Sequence, residues 1–258
     1  MTPGHDPLIL VVDDDEDTCQ NLSDILCDLG YQVDSAHDGP SALEMVRVKP
    51  YDVALLDLKM PGMDGLELYR EIKRLAAGTV AMLVTAYASH ATAEEALKAG
   101  AWRVLSKPID FPKLLSLVDV ALSQPLVLVV DDDRELCANL WDLFRERGYR
   151  VGLAHTLNEA AGQLGYANYK VVLIDMRISG GDGGEVFRRV REANPRARTI
   201  LITGYRSETE DLVARVLAEG ADTVCYKPFE IPRLLAALEE LAGLGGGTHG
   251  KDTGGMAR

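Results

Sequence analysis

Two α/β domains in tandem, each a five-stranded parallel sheet covered by helices on both faces, are what this sequence predicts. Three observations lead there. Much of the first half of the chain returns in order 118 positions later. Each copy alternates short apolar runs with segments of helical period. The apolar runs read as strands buried on both sides, which is the pattern of parallel sheets under helical cover. The repeat is plainest in LILVVDDDEDTCQNL (8–22) against LVLVVDDDRELCANL (126–140). At the same offset Gly30-Tyr31 meets Gly148-Tyr149, Tyr51 meets Tyr169, Asp57 meets Asp175, Asp64-Gly65 meets Asp182-Gly183, and Thr85 meets Thr203. After Tyr87 and Tyr205 the offset becomes 120, and Lys107-Pro108 then meets Lys227-Pro228.

The elements follow in order. In the first copy the predicted strands are LILVV (8–12), YQVDSA (31–36), VALL (53–56), VAMLV (80–84) and WRVL (102–105). LVLVV, YRVGLA, VVLI, TILI and TVCY occupy the matching places in the second. Between the first two strands Cys19, Leu22, Ile25, Leu26 and Leu29 recur at helical spacing, and Gly30 stands where a C-cap belongs. A last helix over 111–122 closes the first copy. The predicted organisation is a domain over 1–122, a short linker at 123–125, a second domain over 126–242, and a glycine-rich flexible tail over 243–258. So short a linker should hold the two domains in a preferred relation. Each domain is expected to take the flavodoxin-like doubly wound form, strand order 2-1-3-4-5.

Composition narrows the function. Hydrophobic residues make up 47% of the 258, which fits a folded protein. The net charge of −13, from 27 basic and 40 acidic residues, argues against a broad nucleic-acid-binding surface. MTPGHDP at the start lacks the basic and apolar regions of a secretory signal, and no apolar run has membrane-spanning length, so a soluble cytoplasmic protein is expected. Cys19, Cys27, Cys137 and Cys225 form no CxxC pair and read as buried thiols.

The chemistry lies in the acids. Open parallel sheets bind ligands beyond the carboxyl ends of their strands, where the strand order reverses. Asp13 and Asp14 follow the first strand and Asp57 ends the third, its neighbour in the sheet. Thr85 ends the fourth strand and Lys107 the fifth. Asp131, Asp132, Asp175, Thr203 and Lys227 repeat the set. Three carboxylates with no His or Cys among them suit a hard divalent cation such as Mg²⁺ and disfavour zinc. A carboxylate beside such a cation, an ammonium and a hydroxyl is equipped to accept a phosphoryl group. Asp15, Glu16 and Asp17 are read instead as helix-capping acids.

The motifs VVDDD, LLDLKMPGMDG, VTAY and SKP, with VVDDD, LIDMRISGGDG, ITGY and YKPF in the second copy, make the chain similar to two tandem receiver domains of two-component response regulators. The resemblance implies that Asp57 and Asp175 are phosphoacceptors. It further implies that Asp14 and Asp132 ligate Mg²⁺ with Asp13 and Asp131 assisting, and that the backbone carbonyls of Lys59 and Arg177 complete the protein ligands. Thr85 and Thr203 would bond the phosphoryl group, Lys107 and Lys227 would pair with it, and each lysine would precede a cis proline. The implied donor is a histidine kinase or histidine phosphotransfer protein. Output would pass through a downstream protein partner or receiver pairing, within the chain or between chains, on the face of the fourth and fifth helices.

Four features depart from that pattern or imitate another. Val104 and Val224 stand where the family usually carries an aromatic residue, with Trp102 and Tyr226 nearby as packing groups. MPGMDG in the first copy becomes ISGGDG in the second, where loss of proline at Ser179 should loosen the loop and change the kinetics of that site. GGDGGE (180–185) resembles a cyclase signature but lies inside this loop, without the domain such activity needs. His37 and His155 recur as helix-start features apart from the acids.

The expectation is a signalling module and not an enzyme, with no separate output domain in the chain. A phosphate sink, or an adaptor fragment of a hybrid kinase, is the alternative. A phosphatase working through an aspartyl phosphate is disfavoured, because Lys59 and Arg177 stand where its general acid belongs. A flavin-binding relative is disfavoured because aspartates replace the phosphate loop.

Overall fold

The computed structural model of the protein describes residues 7–86, 90–204 and 206–243. The tail expected to be flexible, beyond Gly243, lies outside them. In the first copy the order is β1 (Leu8–Val12), α1 (Glu16–Asp28), β2 (Gln32–Ala36), α2 (Gly39–Val48), β3 (Val53–Asp57), α3 (Gly65–Leu75), β4 (Val80–Thr85), α4 (His90–Ala99), β5 (Arg103–Ser106) and α5 (Phe111–Ser123). The second copy runs β6 (Leu126–Val130), α6 (Arg134–Glu146), β7 (Arg150–Ala154), α7 (Leu157–Tyr166), β8 (Val171–Asp175), β9 (Arg177–Ile178), β10 (Gly181–Asp182), α8 (Gly183–Ala193), β11 (Arg198–Thr203), α9 (Arg206–Ala218), β12 (Thr223–Tyr226) and α10 (Ile231–Ala242).

The two large sheets are ordered β2-β1-β3-β4-β5 and β7-β6-β8-β11-β12, every pairing parallel, as the sequence predicts. Alternate residues of each central strand enter opposite cores. Leu10, Val12, Ala54 and Leu56 pack with α2 and α3, whereas Ile9, Val11, Val53 and Leu55 pack with α1 and α5. Local chemistry sets the helix starts. Asp15, Asp38, Asp64, Asp110, Asp133 and Asp182 each accept a first-turn backbone N–H, and Asp64 with Glu67 forms a full capping box. The capping expected of the acids after Asp14 thus falls to Asp15, and Gly30 follows α1 at φ 90°.

Three expectations need correction. Cys27 is exposed, while Cys19, Cys137 and Cys225 are buried. Its place on the outer face of α1 lies off the apolar stripe formed by Cys19, Leu22 and Leu26. The loop after Asp175 is also not merely loosened. β9 and β10 pair antiparallel across Ser179-Gly180, with Gly180 at φ 91°, so the glycines that remove stiffness also permit a two-residue hairpin absent from the first copy.

The third concerns how the copies meet. They do pair, but the bonds that join them do not come from the face of α4, β5 and α5. The indole Nε1 of Trp141 on α6 donates to Ala77 O in the α3–β4 connection at 3.2 Å. The Arg150 guanidinium on β7 donates to Gly78 O at 3.3 Å and pairs with Asp52 at 2.8 Å, and both charges of that pair are nearly buried. Lys73 of α3 stands 3.4 Å over the Trp141 ring, with the Arg145 guanidinium 4.4 Å from its centre. Burial beside this ring lowers the pKa of both cations. Ala77 of the first copy packs into the core of the second alongside Trp141 and Phe144. The lower edge of one copy therefore rests on the flank of the other.

Candidate functional site

Parallel strands bring their carboxyl ends to one edge, and that edge collects the site. The register Val12↔Leu56 between β1 and β3 sets Asp13, the next residue after β1, beside Asp57. Thr85 closes β4, and Lys107 follows β5 directly. The close approach of α3 depends on Gly65, where a Cβ would collide with the Asp57 carbonyl oxygen. Gly183 has the same role, with a Cβ 2.6 Å from Asp175 O.

In the first copy Lys107 Nζ lies 2.6 Å from Asp13 Oδ2 and 2.9 Å from Asp57 Oδ1. The backbone N–H of Lys59 donates to Asp57 Oδ2 at 3.1 Å, and Asp57 is 6% exposed. In the second, Lys227 Nζ lies 2.6 Å from Asp131 Oδ2 and 3.1 Å from Asp175 Oδ2, while Arg177 N–H donates to Asp175 at 3.2 Å. Thr85 and Thr203 are buried, and their carbonyls accept the lysine N–H groups at 2.8 Å. Both Lys-Pro bonds are cis, as the resemblance implies.

Two acids crowd each ammonium, and the titration behaviour reflects it. Burial raises the Asp57 pKa above its ordinary value against the opposing pull of Lys107, and the nearby Asp13 adds to the rise. Asp175 is raised by burial and by Asp131, against Lys227. Burial works against the charge on Lys107 and Lys227, but their carboxylate partners outweigh it and both pKa values rise. One cation is too few for each cluster.

A divalent ion would fit the deficit. Asp13, Asp14 and Asp57 offer carboxylate oxygens all within 4.8 Å of one another, and so do Asp131, Asp132 and Asp175. Octahedral Mg²⁺ with ligands at about 2.0–2.1 Å spaces them about 2.9 to 4.2 Å apart, so the donor set suits it in type and size. Asp14 and Asp132 are exposed, which leaves one side open for water or phosphate oxygens.

The two sites differ at their rims. Ser179 Oγ donates to Asp132 Oδ2 at 2.9 Å, where the first copy has Pro61. The Thr203 and Thr209 hydroxyls lie 2.8 Å apart. His155 is bonded through Nδ1 to the backbone oxygen of Asp131 at 3.0 Å and stays outside the carboxylate cluster, as expected. Val104 packs against the α2–α3 core and Val224 against its counterpart, so the position where an aromatic was looked for carries a core-packed valine in both copies.

Several supporting residues escape a reading of motifs. The buried thiols of Cys19 and Cys137 donate to the carbonyls of Asp13 and Asp131 at 3.4 and 3.3 Å, buttressing the acidic loops. Burial pushes these thiols up to about 11 and about 12, so they remain protonated donors. Their recurrence at the 118-residue offset was the available signal. Ser179 and Thr209 carry no such signal, because neither is repeated.

Fold and acidic sites together define a module of the two-component signalling class. The profile of the response regulator receiver domain matches residues 9–119 and again 127–239, and the chain belongs to that family. A response regulator receiver protein of Anaeromyxobacter sp. (strain Fw109-5) is 37% identical over 90% of this chain and 94% of its own length. The transcriptional regulatory protein ZraR of Escherichia coli O157:H7 is 37% identical over 77% of this chain, which spans only 44% of that relative. The Francisella response regulator 1452 receiver domain aligns at 29% identity over 45% of this chain and 96% of its own, with a TM-score of 0.43. Receiver domains serve phosphorelay signalling. Among the described residues no helix is long and apolar enough to cross a membrane.

Proposed function

We propose that Asp57 and Asp175 each accept a phosphoryl group from a phosphohistidine of a kinase or phosphotransfer protein, in a Mg²⁺-dependent reaction. The observation that supports this most is the twofold assembly of one constellation, with a buried acceptor carboxylate 2.9 or 3.1 Å from a lysine ammonium and beside two further acids. An acceptor oxygen attacks phosphorus in line. The phosphorus–nitrogen bond breaks as the phosphorus–oxygen bond forms, and the departing imidazole nitrogen takes up the electron pair. Asp13, Asp14 and the Lys59 carbonyl would hold the metal in one copy, and Asp131, Asp132 and the Arg177 carbonyl in the other. When bound, Mg²⁺ neutralises charge on the phosphoryl oxygens.

Lys107 and Lys227 pair with the transferred group, and the Thr85 and Thr203 hydroxyls donate to it. The ammonium must then exchange one carboxylate contact for a phosphoryl contact, a local change from which a signal can start. Output passes by contact with a downstream protein in the cytoplasm, from two domains over 1–122 and 126–242 joined at 123–125. Intact mass after incubation with acetyl phosphate and Mg²⁺ tests the reading. The expected result is two phosphoryl groups on the wild type, one on Asp57→Asn or Asp175→Asn, and none on the double variant. Labelling that survives in the double variant would overturn it.

A further inference from the structure

We propose that the cleft between the two copies is a docking groove for an acidic amphipathic helix of a partner protein. The cleft lies between α2 and α3 of the first copy and α6 and α7 of the second, so neither copy possesses it alone. Its volume is about 840 Å³. Two turns of an α-helix with side chains, about 10 Å across and about 11 Å long, occupy about 850 Å³.

Three properties select the occupant. The first is apolar exposure. Of the seven large hydrophobic side chains left exposed among the described residues, three line this cleft: Val48 at 71%, Tyr166 at 54% and Leu75 at 42%. Gathered in one concavity, such side chains mark an interaction surface more often than when they are scattered. The second is charge. The lining holds six basic residues, Arg47, Lys49, Arg70, Lys73, Arg74 and Arg134, against the acids Asp142 and Glu159, in a chain whose net charge is −13. Four of the six already lie beside an acid of their own copy: Arg47 by Glu44, Lys49 by Asp34, Arg70 by Glu95 and Arg74 by Glu71. The Arg47, Arg70 and Arg74 pairs are exposed and contribute roughly 0–1 kcal/mol, so a partner carboxylate can exchange into them at little cost, whereas Lys49 is held by the half-buried Asp34.

The third is a glycine without an internal reason. Gly162 sits within α7 on the cleft wall, and a Cβ there would meet nothing within 4 Å. A helix-interior glycine costs roughly 1 kcal/mol relative to alanine, and packing within this chain does not call for it. Gly165, in the same helix but outside the cleft, meets nothing within 4 Å either, so what Gly162 contributes to the cleft is room for another backbone to approach closely. Apolar anchors, a basic rim and a bare stretch of helix together suit a helix laid into a groove, with acids toward the rim and aliphatic residues toward Tyr166 and Val48. A small anion would leave the apolar surface uncovered. Nucleic acid would meet the repulsion of the chain as a whole.

The test uses the full chain and a fluorescent 14-residue helical peptide with leucines on one face and glutamates on the other. Fluorescence anisotropy at low salt should show saturable binding. Affinity should fall about tenfold in Gly162→Leu, which blocks the groove by filling open space, and in the Arg70→Glu/Arg74→Glu double variant, which reverses the rim. The Asp57→Asn/Asp175→Asn variant should bind as the wild type does, which separates this inference from phosphoryl acceptance. Circular dichroism confirms that each variant is folded. The proposal is overturned by absent binding, by equal binding to folded Gly162→Leu, by equal binding of a lysine–leucine peptide, or by tighter binding of a single-stranded oligonucleotide.

Discussion

The two copies agree where chemistry is done and disagree where they touch. Aspartate, aspartate, aspartate, threonine and lysine stand at matching positions of both pockets, with the two lysine ammoniums held at 2.6 Å from Asp13 and Asp131. The contact between copies is built from residues that do not match. Trp141, Arg145 and Arg150 correspond to Ser23, Cys27 and Gln32, while Asp52, Ala77 and Gly78 correspond to Lys170, Pro195 and Arg196. The difference has a geometric cause. An edge-to-flank contact is heterologous, and if both copies kept both surfaces it would propagate into an open chain of molecules. Here the first copy lacks the flank and the second lacks the edge, so the contact forms once and stops.

Breaking this asymmetry should produce the largest effects. Trp141→Ala removes a buried anchor held between two cations, and urea denaturation should show a loss of about 3–5 kcal/mol. Ser23→Ala, at the matching position, should change stability by less than about 0.5 kcal/mol. Equal losses at the two positions would mean that the contact is not the source of the difference.

Asp52→Ala should cost about 3 kcal/mol, because it leaves the nearly buried Arg150 guanidinium unpaired. The double variant Asp52→Ala/Arg150→Met should recover most of that loss. If it falls as far as the sum of its parts, the ion pair is not acting as a unit.

The pockets give a smaller, pH-dependent effect of opposite sign. Asp57 and Asp175 have raised pKa values in the folded chain, so the folded state binds more protons than the unfolded state above the ordinary carboxylate range. Stability then falls as pH rises through that interval and on through the raised folded pKa. With divalent cations chelated at neutral pH, Asp57→Asn or Asp175→Asn should therefore raise Tm by about 2–4 °C. The gain should vanish at pH 3. A lowered Tm at neutral pH would show that the lysine pair outweighs the crowding.

Smallest of all should be the difference between the rims. Ser179→Pro removes the hydroxyl that engages Asp132 and gives the second loop the proline of the first. Mg²⁺ affinity and phosphoryl decay at Asp175 should shift about two- to fivefold toward the values at Asp57, as befits one hydrogen bond to a charged group. Unchanged binding and decay would assign the difference between the sites to other residues.

Much of this was legible in the residues themselves. The strands VALLD and VVLID announce both their burial and their acidic ends, and parallel topology then dictates which acids meet. What stayed hidden was set by packing between units. Nothing local in WDLFRERGYR says that Trp141 seeks a carbonyl 64 residues away, because a buried aromatic on a helix looks the same whether its neighbour is intramolecular core or a second domain. The hairpin after Asp175 was missed for a related reason. Its glycines signal freedom, and only the ladder between Arg177–Ile178 and Gly181–Asp182 shows how that freedom is used.

Calorimetric titration of the chain with Mg²⁺ counts the metal sites on which phosphoryl acceptance depends. Two sites per chain are expected, one remaining after Asp13→Asn/Asp14→Asn or after Asp131→Asn/Asp132→Asn, and none when all four are replaced. A single site in the wild type, or undiminished uptake after all four replacements, would contradict the two-site reading.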